Sequence, residues 1–259
     1  MKLKIVPART GFLWVRLGIQ TFFRQPLALS GLFFMFMAVM SVLSIVPFVG
    51  NMLALALLPA ATLGLMAATK EADLGKFPMP TILVSAFRAG QQRKRAMLIL
   101  GALYAVGFLG VMGVSALFDG GSFAKLYLVG GALNKELVMQ SDFQTAMWVA
   151  MALYLPFSLL FWHAPALVHW HGVPPVKSLF FSIVACGRNF GALTVFGLTW
   201  MATFLLVGLV VTSVAALLGN EDIAGAIMFP AAMLFAAMFF TSIYFTFRDS
   251  FEFDEVESV

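Results

Sequence analysis

Six stretches of this chain, 27–48, 50–69, 96–118, 145–168, 192–218 and 223–247, each run for 20 residues or more without an Asp, Glu, Lys or Arg. A bilayer core is crossed by roughly 20 apolar residues in a helix. A charge at its centre costs about 2.5–3.5 kcal/mol on insertion scales. The runs do not alternate polar with apolar residues as barrel strands do, so their backbone hydrogen bonds have to close within helices. The expected fold is therefore all-α: a polytopic membrane protein with six transmembrane helices. Composition excludes the alternative of a water-soluble globule. The chain is 61% hydrophobic and only 11% charged, where a soluble domain carries about a quarter charged residues. Its mean hydropathy is +0.96.

The first run, 22 residues long, exceeds the 7–15 or so of a signal-peptide core and no small-x-small cleavage site follows it. It is read as a retained first span. Fourteen of the 16 Lys and Arg residues fall before span one, between spans two and three, between spans four and five, or after span six. Only Lys125 and Lys135 fall on the other side. The positive-inside bias then puts both termini in the cytoplasm, with an acidic tail at 249–259. The net charge of +4 reads as attraction to anionic headgroups. Nucleic acid is not expected, because the basic run QQRKR lacks interleaved aromatics and a basic domain around it. The lone cysteine, Cys186, excludes an intramolecular disulfide and a CxxC site.

The cytoplasmic segments carry helical periodicity of their own. Residues 9–24 set Arg9, Arg16, Gln20 and Arg24 against Phe12, Val15, Ile19, Phe22 and Phe23. Residues 81–95 set Thr81, Ser85, Arg88, Gln92 and Arg95 against Ile82, Leu83 and Ala86. Residues 178–189 align Ser178, Ser182, Cys186 and Asn189. All three are expected to be amphipathic helices in the membrane interface, with a cytoplasmic helix docked on other protein as the alternative. Each precedes two spans, and the second span of each pair holds a proline: Pro59, Pro156 and Pro230. Within one membrane domain spanning 1–259, this order suggests three helix-span-span repeats at 8–72, 79–170 and 175–248, with kinks at the prolines. Helix contacts are expected along Ala56, Ala60 and Gly64, along Gly107, Gly110 and Gly113, and along Gly208, Thr212 and Ala216, since small residues let backbones approach in lipid.

Candidate chemistry is sparse. His163, His169 and His171 all lie in FWHAPALVHWHG. On an uninterrupted helix they point about 120° and 160° apart, so a shared metal would require unwinding at Pro165 or at 172–175. The competing reading is an interfacial belt of Trp162, His163, His169, Trp170 and His171 at headgroup depth. No P-loop, GxSxG or dinucleotide fingerprint occurs, and FDGGSF and LVGGAL read as turns. Charge-free spans argue against a proton-coupled pump or voltage sensor. Neither a catalytic residue nor a cofactor is expected.

Three stretches carry a resemblance: VPARTGFLWVRLGIQTFFRQPLALSGL, then HAPALVHWHGVPPVKSLFFSIVACGRN with its Arg188-Asn189 close, then FTFRDSF. Together they resemble an uncharacterised family of six-span inner-membrane proteins from proteobacteria. The resemblance implies a bacterial inner membrane and six helices, and carries no activity or catalytic residue. The expected function is a non-enzymatic component that binds membrane lipid, a membrane-protein partner or a second copy of itself. Arg88, Arg93, Lys94 and Arg95 are the expected anionic-lipid contacts. A transporter or channel for small neutral or lipid-like molecules is the competing class, and a membrane enzyme a third.

Overall fold

The computed structural model describes residues 2–46, 49–131, 134–219 and 221–252. Its helices are α1 (Thr10–Arg24), α2 (Pro26–Ser44), α3 (Gly50–Asp73), α4 (Gln91–Asp119), α5 (Ser122–Val129), α6 (Lys135–Val138), α7 (Ser141–Trp162), α8 (Ala164–His171), α9 (Pro175–Arg188), α10 (Phe190–Leu217) and α11 (Glu221–Ser250). A 3₁₀ segment covers Pro80–Phe87, and two short strands, β1 (Lys2–Leu3) and β2 (Phe251–Glu252), complete the described chain. Among the described residues, six helical stretches are long and apolar enough to cross a membrane: α2, α3, α4, α7 with α8, α10, and α11 from Gly225. The all-α, six-span reading holds.

Helix runs through Pro59, Pro156 and Pro230, and the fourth span breaks at His163, between α7 and α8. Two expectations need correction. The helix expected over 81–95 does not form as one piece. The 3₁₀ segment ends at Phe87, and Gly90, at φ 92°, starts α4 afresh. A positive φ is open to glycine at little cost and to few other residues. The run QQRKR is consequently the first turn of the third span rather than the end of an interfacial helix. The acidic tail also begins later than its charges suggest. Asp249 and Ser250 finish α11 and Phe251–Glu252 pair with β1, whereas 253–259 lie outside the described residues.

The chain divides into two compact units. The first holds Met1–Met37, Thr62–Ser85 and Val184–Val259. Here α1 packs on α10 and α11. Its buried stripe is Gly11, Trp14, Val15, Gly18, Thr21 and Phe22, whereas Phe12 and Phe23 point outward. The apolar face expected from periodicity is thus split between protein and surroundings. Gly11 sits against the carbonyl of Ala192, and Gly18 against Ser242. Trp14 is wholly buried and meets Phe196 edge-on, with ring centroids 6.2 Å apart. Its indole N–H donates to the Asp249 carboxylate at 2.9 Å. Arg248 reaches Asp73 at 3.2 Å and Asp249 at 2.9 Å, and Arg24 reaches Asp73 at 3.9 Å.

One residue ties the ends of this unit together. Asn189, 2% exposed, accepts from the Val6 N–H at 2.9 Å and donates to the Lys4 carbonyl at 3.0 Å and to Ser250 Oγ at 3.3 Å. β1 and β2 pair antiparallel beside it, Lys2 opposite Glu252 and Leu3 opposite Phe251. The first and last described residues therefore lie side by side.

The second unit holds Ala38–Ala61 and Ala86–Ile183. Its centre is the packing of α4 on α7. Tyr104 lies among Phe108, Phe157 and Phe161, with centroids 6.3, 5.2 and 4.9 Å away. Gly101 rests on the Ala56 carbonyl, and Gly107 on the ring of Phe157. At Gly110 and Gly113, by contrast, an added Cβ would meet no other described element within 4 Å, and in the first unit Thr212 and Ala216 are exposed. Of the three small-residue stripes, only that of α3 makes close contacts along its length, through Ala56 and buried Ala60 in this unit and through Gly64 against Leu83 in the first. The connection 119–144 is ordered at its start by Asp119. Its carboxylate accepts from the N–H groups of Gly121 and Phe123 at 2.9 and 2.6 Å. Gly120 and Gly121 both take positive φ, as the turn reading of FDGGSF requires.

Candidate functional site

The four expected lipid contacts all lie within the second unit, at the start of α4. Arg88 precedes the Gly90 turn, and Arg93, Lys94 and Arg95 belong to the first turns of the helix. All four are exposed. Among the described residues no carboxylate pairs with any of them, unlike Arg24 and Arg248.

Two of the four line a cleft. Gln91, Gln92, Arg93, Arg95, Ala96 and Ile99 form one wall, and Val168 with Gly172–Val173–Pro174–Pro175 forms the other, around a cavity of about 680 Å³. Positions 92, 95, 96 and 99 recur at the spacing of one helix face, so the wall changes along its length from amide and guanidinium to aliphatic side chains. Arg88 and Lys94 do not line the cleft.

The second wall is held by local rules. Gly172, at φ 64°, closes α8 in the left-handed conformation, and the Val173 N–H turns back to the Leu167 carbonyl at 3.2 Å. Pro174 and Pro175 stop any continuation, and Pro175 opens α9, a position where its missing N–H costs nothing. The break between α7 and α8 has a specific cause in addition to Pro165. Ser182 of α9 inserts its hydroxyl into the helical ladder, donating to the Leu159 carbonyl at 2.7 Å and accepting from the His163 N–H at 2.9 Å. A side chain inserted between residues i and i+4 is a recognised source of sharp kinks. Ser178, Ser182, Cys186 and Asn189 are all buried while Val176 and Phe180 are exposed. The stripe aligned by periodicity is therefore the inward face of this segment; Ser182 serves the backbone of the fourth span, while Ser178 donates back to the Pro175 carbonyl of its own helix at 2.6 Å.

The histidines are also redistributed. His163 is 1% exposed, enclosed at the α7–α8 break, and so leaves the expected belt. His169, Trp162 and Trp170 are half-buried and His171 is exposed. Both sites of helix unwinding that a shared metal would need are present, yet among the described residues no three His, Cys, Asp or Glu side chains gather to hold an ion.

A second cavity in the same unit, of about 500 Å³, is lined by Ser44, Val46, Asn51, Met52, Leu55, Leu109, Leu128 and Val129. Asn51 donates its amide to the Leu128 carbonyl across it.

The chain is similar over nearly its whole length to a curated sequence. It is 42% identical over 258 residues, 98% of this chain and 96% of the relative, to a probable inner membrane protein of Burkholderia thailandensis. This chain belongs to that inner-membrane family. It is a multi-pass membrane protein, and the bacterial inner membrane implied by its three signature stretches stands. No family model matches the chain, and no solved structure does.

The basic residues of the first wall are legible in sequence, but the cleft that they line is not. The GVPP run could have flagged the second wall, because a left-handed glycine followed by two prolines has to be a fixed turn. Nothing local relates it to residues 91–99, which lie some 75 positions earlier.

Proposed function

We propose that the protein is a non-enzymatic membrane component that binds anionic lipid at the start of α4. The observation behind this reading is the cluster Arg88, Arg93, Lys94 and Arg95, exposed and without a carboxylate partner among the described residues. A basic side chain near an anionic surface contributes about 1 kcal/mol, and the attraction fades over a Debye length. Outward-facing Phe12, Phe23 and Phe180 on α1 and α9 support placing these helices at headgroup depth. In this reading both termini are cytoplasmic. The side-by-side ends are in keeping with an even number of crossings, and the Lys and Arg bias sets the side.

Changing Arg88, Arg93, Lys94 and Arg95 together to Gln is expected to lower the anionic lipid that co-purifies with the protein, measured by mass spectrometry after detergent extraction. The protein should still insert the same way, because ten basic residues would remain on that side against two on the other. Unchanged lipid with loss of a bound protein would instead make the segment a docking site for a partner or a second copy. Orientation is tested separately by placing cysteine at exposed Lys125 and Lys177. An impermeant reagent added from the periplasm should label Lys125→Cys and leave Lys177→Cys unlabelled. Native Cys186 is wholly buried and will not confuse the assay.

A second reading, a transporter or channel for small neutral or lipid-like molecules, draws on the cavity beneath α5. Six of its eight lining residues are apolar, which suits an acyl chain better than a polar solute.

A further inference from the structure

We infer that the cleft between the start of α4 and the 172–175 turn is a discrete site for one acidic phospholipid, with a phosphodiester and an uncharged, hydroxyl-bearing outer headgroup of the phosphatidylglycerol kind. The inference rests on the lipid-binding reading above and narrows it from a charged surface to one cavity.

The lining carries the chemistry. Arg93 and Arg95 bring two guanidinium groups into one space of about 680 Å³. A guanidinium matches the geometry of phosphate oxygens with paired N–H donors. Gln91 and Gln92 add neutral amides that can donate to and accept from hydroxyls. Among the described residues no Asp or Glu lines the cleft. An ammonium-bearing headgroup would therefore find two cations and no counter-charge, which disfavours zwitterionic lipids. Deeper along the same helix face the lining turns to Ala96 and Ile99, opposite Val168, Val173, Pro174 and Pro175. At 1.5 Å per residue, Ile99 lies roughly 6 Å beyond Arg95 along the axis. That offset is what a lipid needs, with phosphate at the basic level and the first methylenes of a chain against the aliphatic level. A free phosphate or phosphate ester shares the first half of this chemistry and gains nothing from the second.

The test separates a site from a surface. R93Q/R95Q and R88Q/K94Q each remove two positive charges from the same short segment, so long-range attraction weakens equally in both. Only the first pair lines the cleft. Full-length protein in a non-ionic detergent is titrated with phosphatidylglycerol, phosphatidylcholine or glycerol 1-phosphate, and bound lipid is read by native mass spectrometry. The elution volume of each variant on size exclusion checks its fold. The wild type should hold one phosphatidylglycerol and show at least tenfold weaker retention of phosphatidylcholine. R93Q/R95Q should lose phosphatidylglycerol at least tenfold and R88Q/K94Q less than twofold. Glycerol 1-phosphate should fail to compete at a hundredfold excess. Equal loss in both double variants would overturn the discrete site while leaving the lipid-binding function standing. Full retention in both would overturn the function as well. Competition by glycerol 1-phosphate would make the cleft a site for a soluble phosphate ester and overturn the lipid assignment.

Discussion

Gly11→Ala should be among the most damaging single methyls that can be added to this protein. A Cβ at this position would stand 2.1 Å from the Ala192 carbonyl oxygen and 2.6 Å from the Phe196 nitrogen. Both are backbone atoms of α10, so no rotamer change relieves the clash. Helix α1 would have to lift away from α10 and α11, taking buried Trp14 and its bond to Asp249 with it. Overpacking of a tight interface costs about 1–3 kcal/mol and occasionally more, and a backbone-to-backbone contact belongs at the upper end. Denaturant unfolding of the purified protein in detergent should show a loss of about 3 kcal/mol, with Trp14 fluorescence shifting to the red. Gly110→Ala and Gly113→Ala are the matched controls. Nothing lies within 4 Å of either added methyl, and alanine is favoured over glycine in a helix by up to about 1 kcal/mol. Both should be neutral or slightly stabilising. Destabilisation by the controls equal to that of Gly11→Ala would mean that α4 packs through its glycine stripe after all.

Asn189→Leu is expected to release the N-terminal strand without unfolding the spans. The substitution keeps volume but removes the acceptor for the Val6 N–H and the donor to the Lys4 carbonyl and Ser250 Oγ. Each buried polar group left unmatched costs about 1–3 kcal/mol, so the expected loss is about 3 kcal/mol, confined to the first residues and β2. Limited trypsin treatment should then cut after Lys4 and Arg9 at least tenfold faster than in the wild type, while the remaining chain stays intact. Asn189→Asp retains an acceptor for Val6 and loses both donor bonds, and should fall between the two. If cleavage at Lys4 is unchanged in Asn189→Leu, the antiparallel pairing of β1 with β2 suffices to hold the terminus.

These two residues show how legibility differs along the chain. Residues 27–48 and 192–218 announce themselves because any charge inside lipid is costly, and a count of apolar residues detects that without knowledge of the fold. Gly11 and Asn189 carry no such mark. One belongs to a helix whose apolar periodicity points to Val15 and Ile19. The other ends a stripe of small polar residues that looks solvent-facing when written on a wheel. In water, hydrophobicity distinguishes the packed face of a helix. Against lipid, both faces are apolar and the packed face is marked by small or polar residues instead. That is why Ser178, Ser182 and Cys186 are buried while Phe180 is exposed.

The six spans and the all-helical class follow from the sequence by itself, since each depends on runs of 20 or more consecutive residues and on the cost of charge in hydrocarbon, while the inner-membrane family follows from similarity to a relative over nearly the whole chain. The basic character of 88–95 is legible in the same way. Tertiary structure alone decided which parts of those elements meet. Gly90 separates the 3₁₀ segment from α4, Ser182 enters the ladder between Leu159 and His163, and the turn at Gly172 lies opposite Arg95 across a cleft. Each depends on a single backbone conformation or a contact between residues far apart in the chain. Such contacts are set by steric fit between helices, for which hydropathy contains no term.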